Sequence, residues 1–172
     1  MTVVRVGDQT IRYDRDATAA VYGTVEHGGA QECGCTFCRN FAVQRESIYP
    51  ASFRALREQF GVDPNKEDEI FECGPAADGR HLYGGWFYLV GEMVAAGERN
   101  HNALDSHQFE FFFTSIGPYA PACRGGPRLT IEFTTHVKWV LPESPRYGTA
   151  SEDTKPESGA ASACDNSNGE VL

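Results

Sequence analysis

The sequence predicts an α+β domain built mostly on antiparallel β-sheet, with two helices at about 36–60. Three observations predict it. Strand-like alternation of apolar and polar side chains recurs at both ends of the first 142 residues, whereas helical spacing is confined to the stretch between Thr36 and Phe60. The order of these segments is not the alternating strand–helix–strand of a parallel sheet. Length and composition suit one domain with its own core: 172 residues, 41% apolar and 12% aromatic.

Residues 2–6 and 10–14 alternate about Gly7-Asp8, which reads as a β-hairpin with one buried face. A third strand is expected at 19–26, Ala-Ala-Val-Tyr-Gly-Thr-Val-Glu, ending where Gly28-Gly29 turns the chain. A helix is expected to open at Thr36, whose hydroxyl can cap it, with Phe37, Phe41 and Ile48 on one face. Pro50 closes that helix and starts the next. In residues 51–60 Phe53, Leu56 and Phe60 form the apolar stripe, with Arg54, Arg57 and Glu58 outside, and Gly61 stands at the left-handed cap.

Strands are expected at Glu69–Cys73, Leu82–Val94, Gln108–Thr114 and Arg128–Lys138. Trp86-Phe87-Tyr88-Leu89-Val90 is apolar on both faces, so its strand belongs in the middle, covered on two sides. Gly84-Gly85 and Gly91 mark bulges or close backbone approach. Leu129, Ile131 and Phe133 opposite Thr130, Glu132 and Thr134 give the cleanest alternation in the chain.

After Leu141 the composition shifts to Pro, Ser, Glu, Gly, Ala and Asn, which lack the apolar groups to offset ordering entropy. The domain is therefore expected to span 1–142, followed by a disordered acidic tail over 143–172. Six acids against two bases put −4 of the chain's −9 net charge in that tail. An acidic body repels phosphate backbones, and the lone Arg124-Gly125-Gly126 reads as a turn, so no nucleic-acid partner is expected. The partner is expected to be a protein or a small molecule. No basic start precedes an apolar run and no apolar run approaches ~18 residues, which predicts a cytoplasmic protein with no membrane span.

The chemistry concentrates in Cys33-Gly34-Cys35-Thr36-Phe37-Cys38, three of the six cysteines within six residues. In a reducing compartment such clusters serve as metal ligands more often than as disulfides. A turn into a helix can point the three thiols at one centre, and thiolate donors suit zinc. A closed tetrahedral site needs a fourth ligand, for which His27, Cys73, His81 and Cys123 are candidates. Otherwise water or substrate takes that position, and the zinc acts as a Lewis acid. Cys35-Thr36-Phe37-Cys38 also reads as a C-x-x-C redox pair, although the extra Cys33 suits chelation better.

His101, Asp105 and His107 share one polar loop and could bind metal or transfer protons, although such a set is more often a solvated loop. His136 on the last strand reads as a surface or satisfied histidine, and Cys164 in the tail as inert. The zinc-deaminase pattern, a Walker A loop, a G-x-S-x-G elbow and H-E-x-x-H are all absent.

Residues Cys33 to Arg39 resemble the C-x-C-x-x-C-R segment of glutathione-dependent formaldehyde-activating enzymes. That resemblance implies a zinc held by the triplet and acting on a thiol adduct or small electrophile. The second, four-cysteine zinc site of that family has no counterpart here, with no upstream C-x-C and no downstream C-x-x-C. A wider pattern runs through the cysteines and Asn40-Phe41, Tyr49-Pro50, Tyr83-Gly84-Gly85-Trp86-Phe87 and Glu132-Phe133, closing at Trp139-Val140-Leu141. It resembles a group of bacterial proteins of no assigned activity, and implies a domain of its own over about 33–141. Three function classes follow: a structural zinc knuckle in a small binding domain, a zinc-thiolate enzyme, and a thiol redox protein.

Overall fold

The computed structural model describes residues 1–97, 102–104, 108–115, 127–145 and 147. Its N-terminal hairpin forms as the alternation predicts. Strands β1 (Thr2–Val6) and β2 (Gln9–Tyr13) pair antiparallel, with Val4 opposite Ile11. Ile11 and Tyr13 are buried while Arg12 between them is exposed.

Residues 19–26 are not a strand. They belong largely to helix α1 (Arg15–Thr24), capped by Asp14, whose carboxylate accepts the Ala17 N–H at 2.9 Å. Val21, Tyr22 and Val25 suit a strand when read alone, but the cap sets the helix going upstream of that window. Once helical, Thr18 and Tyr22 fall at i and i+4 and form the buried stripe.

The helical stretch that follows has more breaks than expected: α2 (Gly29–Cys33), α3 (Thr36–Ala42), α4 (Arg45–Ile48) and α5 (Ala51–Phe60). Pro50 occupies the N-cap position of α5, and Gly61 closes that helix at φ 75°. The remaining strands are β3 (Glu69–Pro75), β4 (His81–Ala95), β5 (Asn102–Leu104), β6 (Phe109–Thr114) and β7 (Arg128–Val137). All pairings are antiparallel, in the order β1-β2-β4-β7-β6-β5, with β3 also on β4.

Strand β4 is the centre, as its two apolar faces predict. One edge runs along β7 from His81 opposite Val137 to Val90 opposite Arg128. The other edge is shared: β3 pairs with it up to Trp86, and β2 takes over from Gly91. Helix α1 bridges the gap between them. The Tyr22 hydroxyl meets both backbone groups of Tyr88, Thr18 Oγ1 accepts the Val90 N–H at 3.0 Å, and the Asp14 N–H donates to the Val90 carbonyl at 2.8 Å. Buried backbone groups must find partners, and side chains of a helix here replace a missing strand.

One face of the sheet carries an aromatic core. Phe41 from α3, Tyr49 from the α4–α5 link and Phe53 from α5 pack on Phe87, Phe109 and Phe133, with Phe53 and Phe109 centroids 4.6 Å apart. Burying each such ring contributes on the order of 2 kcal/mol. Trp86 and Tyr88 face the other way, against Phe71 and Val21. Gly84 lets Phe71 lie flat on the strand, since a Cβ there would stand 2.4 Å from its ring.

Arg57, expected outside, is only 2% exposed. It lies at i+4 from Phe53 and i−3 from Phe60, inside the stripe, and its guanidinium sits 4.1 Å over the Tyr49 ring. A long aliphatic stem and a face-on cation–π contact let an arginine take a core position. No helix among the described residues is long and apolar enough to cross a membrane.

Candidate metal centre

Helix α2 brings the chain to Cys33, and Gly34 turns it at φ 60°, where an L side chain is strained. Gly29 seats α2 against the backbone of Asp68 and Glu69, because a Cβ there would lie 2.3 Å from the Asp68 carbonyl oxygen. Cys35 then takes the N-cap of α3, with its sulfur accepting the Cys38 N–H at 3.5 Å. The cap expected of Thr36 belongs to Cys35, one residue earlier. Cys38, one turn into the helix, points at β3, its thiol 3.8 Å from the Ile70 carbonyl oxygen.

This turn–cap–helix path brings three sulfurs to one place. The Sγ atoms of Cys33, Cys35 and Cys38 lie within 4.8 Å of one another, close enough for a metal ion. Thiolates on one tetrahedral metal ion stand ~3.8 Å apart for bonds of about 2.3 Å, a separation that lies inside the 4.8 Å bound. Cys33 and Cys35 are exposed and Cys38 is buried. All three are free thiols.

The electrostatics separate the members of the group. Partial burial pushes the Cys35 thiol up, but the Cys38 N–H and hydrogen bonds with the Cys33 and Cys38 thiols bring it below its ordinary value. Burial pushes the Cys38 thiol well up, and the neighbouring sulfurs add to that. In the absence of a cation, then, Cys35 gives up its proton more readily than Cys38. A bound cation reverses that resistance, because it supplies the positive charge the buried sulfur lacks.

The candidate fourth ligands lie elsewhere. His27 is exposed beside Glu26, its Nε2 3.6 Å from that carboxylate. Cys73 falls at the register shift between Glu72 and Gly74. His81 is buried in a pair with Glu72, Nδ1 to Oε1 at 2.7 Å. None of these joins the three-sulfur group among the described residues. Cys123, His101, Asp105, His107, Cys164 and the Arg124-Gly125-Gly126 turn lie outside the described residues. His136 is half-buried on β7, opposite Leu82.

Polar groups to which the sequence assigned no role at the site surround the centre. The Tyr83 hydroxyl donates to the Phe37 carbonyl at 3.1 Å, between Cys35 and Cys38 in sequence. Burial, with Glu72, Cys38 and Cys35 nearby, holds its phenol up at about 12. Asn40 is fully buried and clamps the chain after β7 to α3, donating to Lys138 O at 3.0 Å and accepting the Val140 N–H at 2.9 Å. Of the stretch read as a tail, Glu143 pairs with Arg39, and Tyr147 lies against Phe37 with centroids 5.2 Å apart. The residues from 148 on lie outside the described residues. An asparagine and two tyrosines at these sequence separations carry no local signal.

Fold and site together define an α+β protein with a three-thiol cluster able to hold a metal ion. Compared with protein-family models, curated proteins and solved structures, the chain matches none.

Proposed function

We propose that this is a zinc-binding protein in which Cys33, Cys35 and Cys38 hold one ion as thiolates. The observation that carries the reading is the gathering of three sulfurs within 4.8 Å across a tight turn. Such a site ties the α2–α3 corner together at its junction with β3, the role of a structural knuckle in a small binding domain. Thiolate donors favour zinc among the abundant divalent cations, and the three free thiols of the cluster suit a reducing, cytoplasmic setting. The net charge of −9 favours a protein or small-molecule partner over nucleic acid.

A second reading draws on the exposure of Cys33 and Cys35. With two of three donors at the surface, the outer side of the ion faces solvent, and its remaining position can take water or a small ligand. That is the open arrangement of a zinc-thiolate enzyme, to which the C-x-C-x-x-C-R resemblance also leads.

Metal analysis of protein purified without chelator tests the proposal. About one equivalent of zinc per chain is expected. Cys35→Ser should lose the metal and lower the melting temperature, whereas Cys73→Ser should keep it. Metal-free, folded protein whose thiols all react rapidly would overturn the reading. A Cys35–Cys38 disulfide that forms and reduces without loss of stability or metal would put the redox class in its place.

A further inference from the structure

Beside the gap in the sheet that α1 bridges lies a cavity of about 340 Å³, room enough for a small organic ligand. Val21 and Val25 from the end of α1 and Leu89 from β4 form its apolar part. Its polar part is rich in carboxylate. Glu32 from α2 and Asp68 line it, and so does Glu67, which is 0% exposed.

Two glycines set the wall of the cavity. A Cβ at Gly28 would stand 2.5 Å from the Asn65 carbonyl oxygen, and one at Gly29 2.3 Å from that of Asp68. The start of α2 therefore lies directly on this backbone, and the Gly29 N–H donates to the Glu67 carbonyl at 2.7 Å. That docking carries Glu32, one turn further on, toward Asp68. Asp68 is itself fixed in place. Its N–H donates to the Trp86 carbonyl at 2.9 Å, and its Oδ2 accepts the Trp86 indole N–H at 3.1 Å.

The charges around the cavity are unevenly matched. Partial burial raises the Asp68 carboxyl above its ordinary value, the Trp86 N–H lowers it, and the Glu32 charge raises it again. The Lys66 ammonium also lines the cavity, but it donates to the Tyr22 carbonyl at 2.9 Å and lies 3.6 Å from Asp63. His27 stands beside Glu26, as described above. Arg45 holds Glu67 Oε1 at 2.6 Å, while the buried Oε2 has no hydrogen-bond partner. A buried acceptor without a donor is costly, and it favours a ligand that brings an N–H. Thr24 and the C-cap Val25 add the negative end of α1. Each of these features favours a cation.

We propose that this cavity binds a small organic amine as its ammonium ion, with the charged head between Glu32 and Asp68. The apolar body of the ligand lies over Val21, Val25 and Leu89. The acids select the charge, because an anion of the same shape would meet repulsion from both. The apolar wall selects against a bare ammonium, which has nothing to bury there. The proposal does not depend on a metal at the cysteines.

Phenethylamine, an ammonium ion at neutral pH, is the probe. It is titrated into the isotope-labelled full chain and followed by NMR at the indole N–H of Trp86, which Asp68 holds. Trp139→Phe assigns that signal, since the chain has 2 tryptophans. A saturable shift is expected with phenethylamine, a much weaker response with phenylethanol or ethylamine, and none with phenylpropionate. Glu32→Gln and Asp68→Asn should each weaken binding about fivefold or more, as losing a charge-assisted contact does. Glu58→Gln, which does not line the cavity, should bind as wild type. Should Asp68→Asn fail to fold, the exposed Glu32 still carries the test. A Trp86 signal that does not respond, phenylpropionate or phenylethanol binding as well as the amine, or affinity unchanged at Glu32→Gln would overturn the proposal.

Discussion

The hydroxyl of Tyr22 stands in for a strand beside Tyr88. It accepts the Tyr88 N–H at 3.1 Å and donates to the Tyr88 carbonyl at 2.9 Å, closing the ladder position that neither β2 nor β3 reaches. A helix residue thus completes the central strand of the sheet. The helix that the Asp14 cap starts is what makes this contact possible. Only at helical spacing do Thr18 and Tyr22 arrive together at Val90 and Tyr88.

Tyr22→Phe keeps the ring and deletes the hydroxyl, leaving two backbone groups of β4 to find other partners. It should cost about 1–3 kcal/mol, the range for stranding a buried donor and acceptor. Urea unfolding gives the loss, and faster hydrogen exchange at the Tyr88 amide assigns it. An unchanged midpoint with an unchanged Tyr88 amide would mean that the hydroxyl is not a ladder partner.

Arg57 makes the opposite case. Its Nε and Nη1 have no hydrogen-bond partner, and burial lowers its pKa. Its gain comes from the Tyr49, Phe53 and Phe87 rings. Arg57→Met, which preserves the stem and removes the unpartnered donors, should leave stability within about 1 kcal/mol of wild type or raise it. Glu67→Gln breaks the 2.6 Å pair with Arg45 at a carboxylate with no exposure, and should cost about 3 kcal/mol or more. Thermal and denaturant unfolding of the two variants side by side checks the contrast. A loss at Arg57→Met as large as at Glu67→Gln would show that the guanidinium is needed as a charge.

Glu132 supplies a pH signature. Half-burial alone raises its carboxyl pKa above the ordinary value of 4.5. The folded state then binds more protons than the unfolded state between the two pKa values. Its contribution to stability therefore falls as pH rises through that window, and above the folded pKa the full cost of burying the charge is present. Glu132→Gln should accordingly stabilise the protein at pH 7, and the gain should shrink toward zero near pH 4. Urea midpoints across that range measure it. A gain that is constant or grows toward acid would contradict burial as the cause.

Several features were legible in the sequence because they arise from neighbours. Alternation specified the β1–β2 hairpin, the double-faced centre of β4 and the inward row of β7, since a strand's two faces differ every second residue. Three cysteines in six residues announced the thiol group, because one turn and one helix start suffice to bring their sulfurs together. Gly61 closed α5 where a left-handed cap was expected, for the same local reason.

What the tertiary structure alone decided came from partners far apart in the chain. Helix α1 starts from the local Asp14 cap, but its seat on the sheet comes from an edge of β4 that Thr18 and Tyr22 reach at helical spacing, and local propensity carries no information about that edge. Arg57 went inside because the rings of Tyr49, Phe53 and Phe87 met over its stem. Glu72 and His81 came together only through the β3–β4 pairing and its register shift, and Tyr147 reached them from 66 residues beyond His81. A short-range pattern fixes which face a residue shows to its own element. Which group waits on that face is settled by the packing of elements whose sequences never meet.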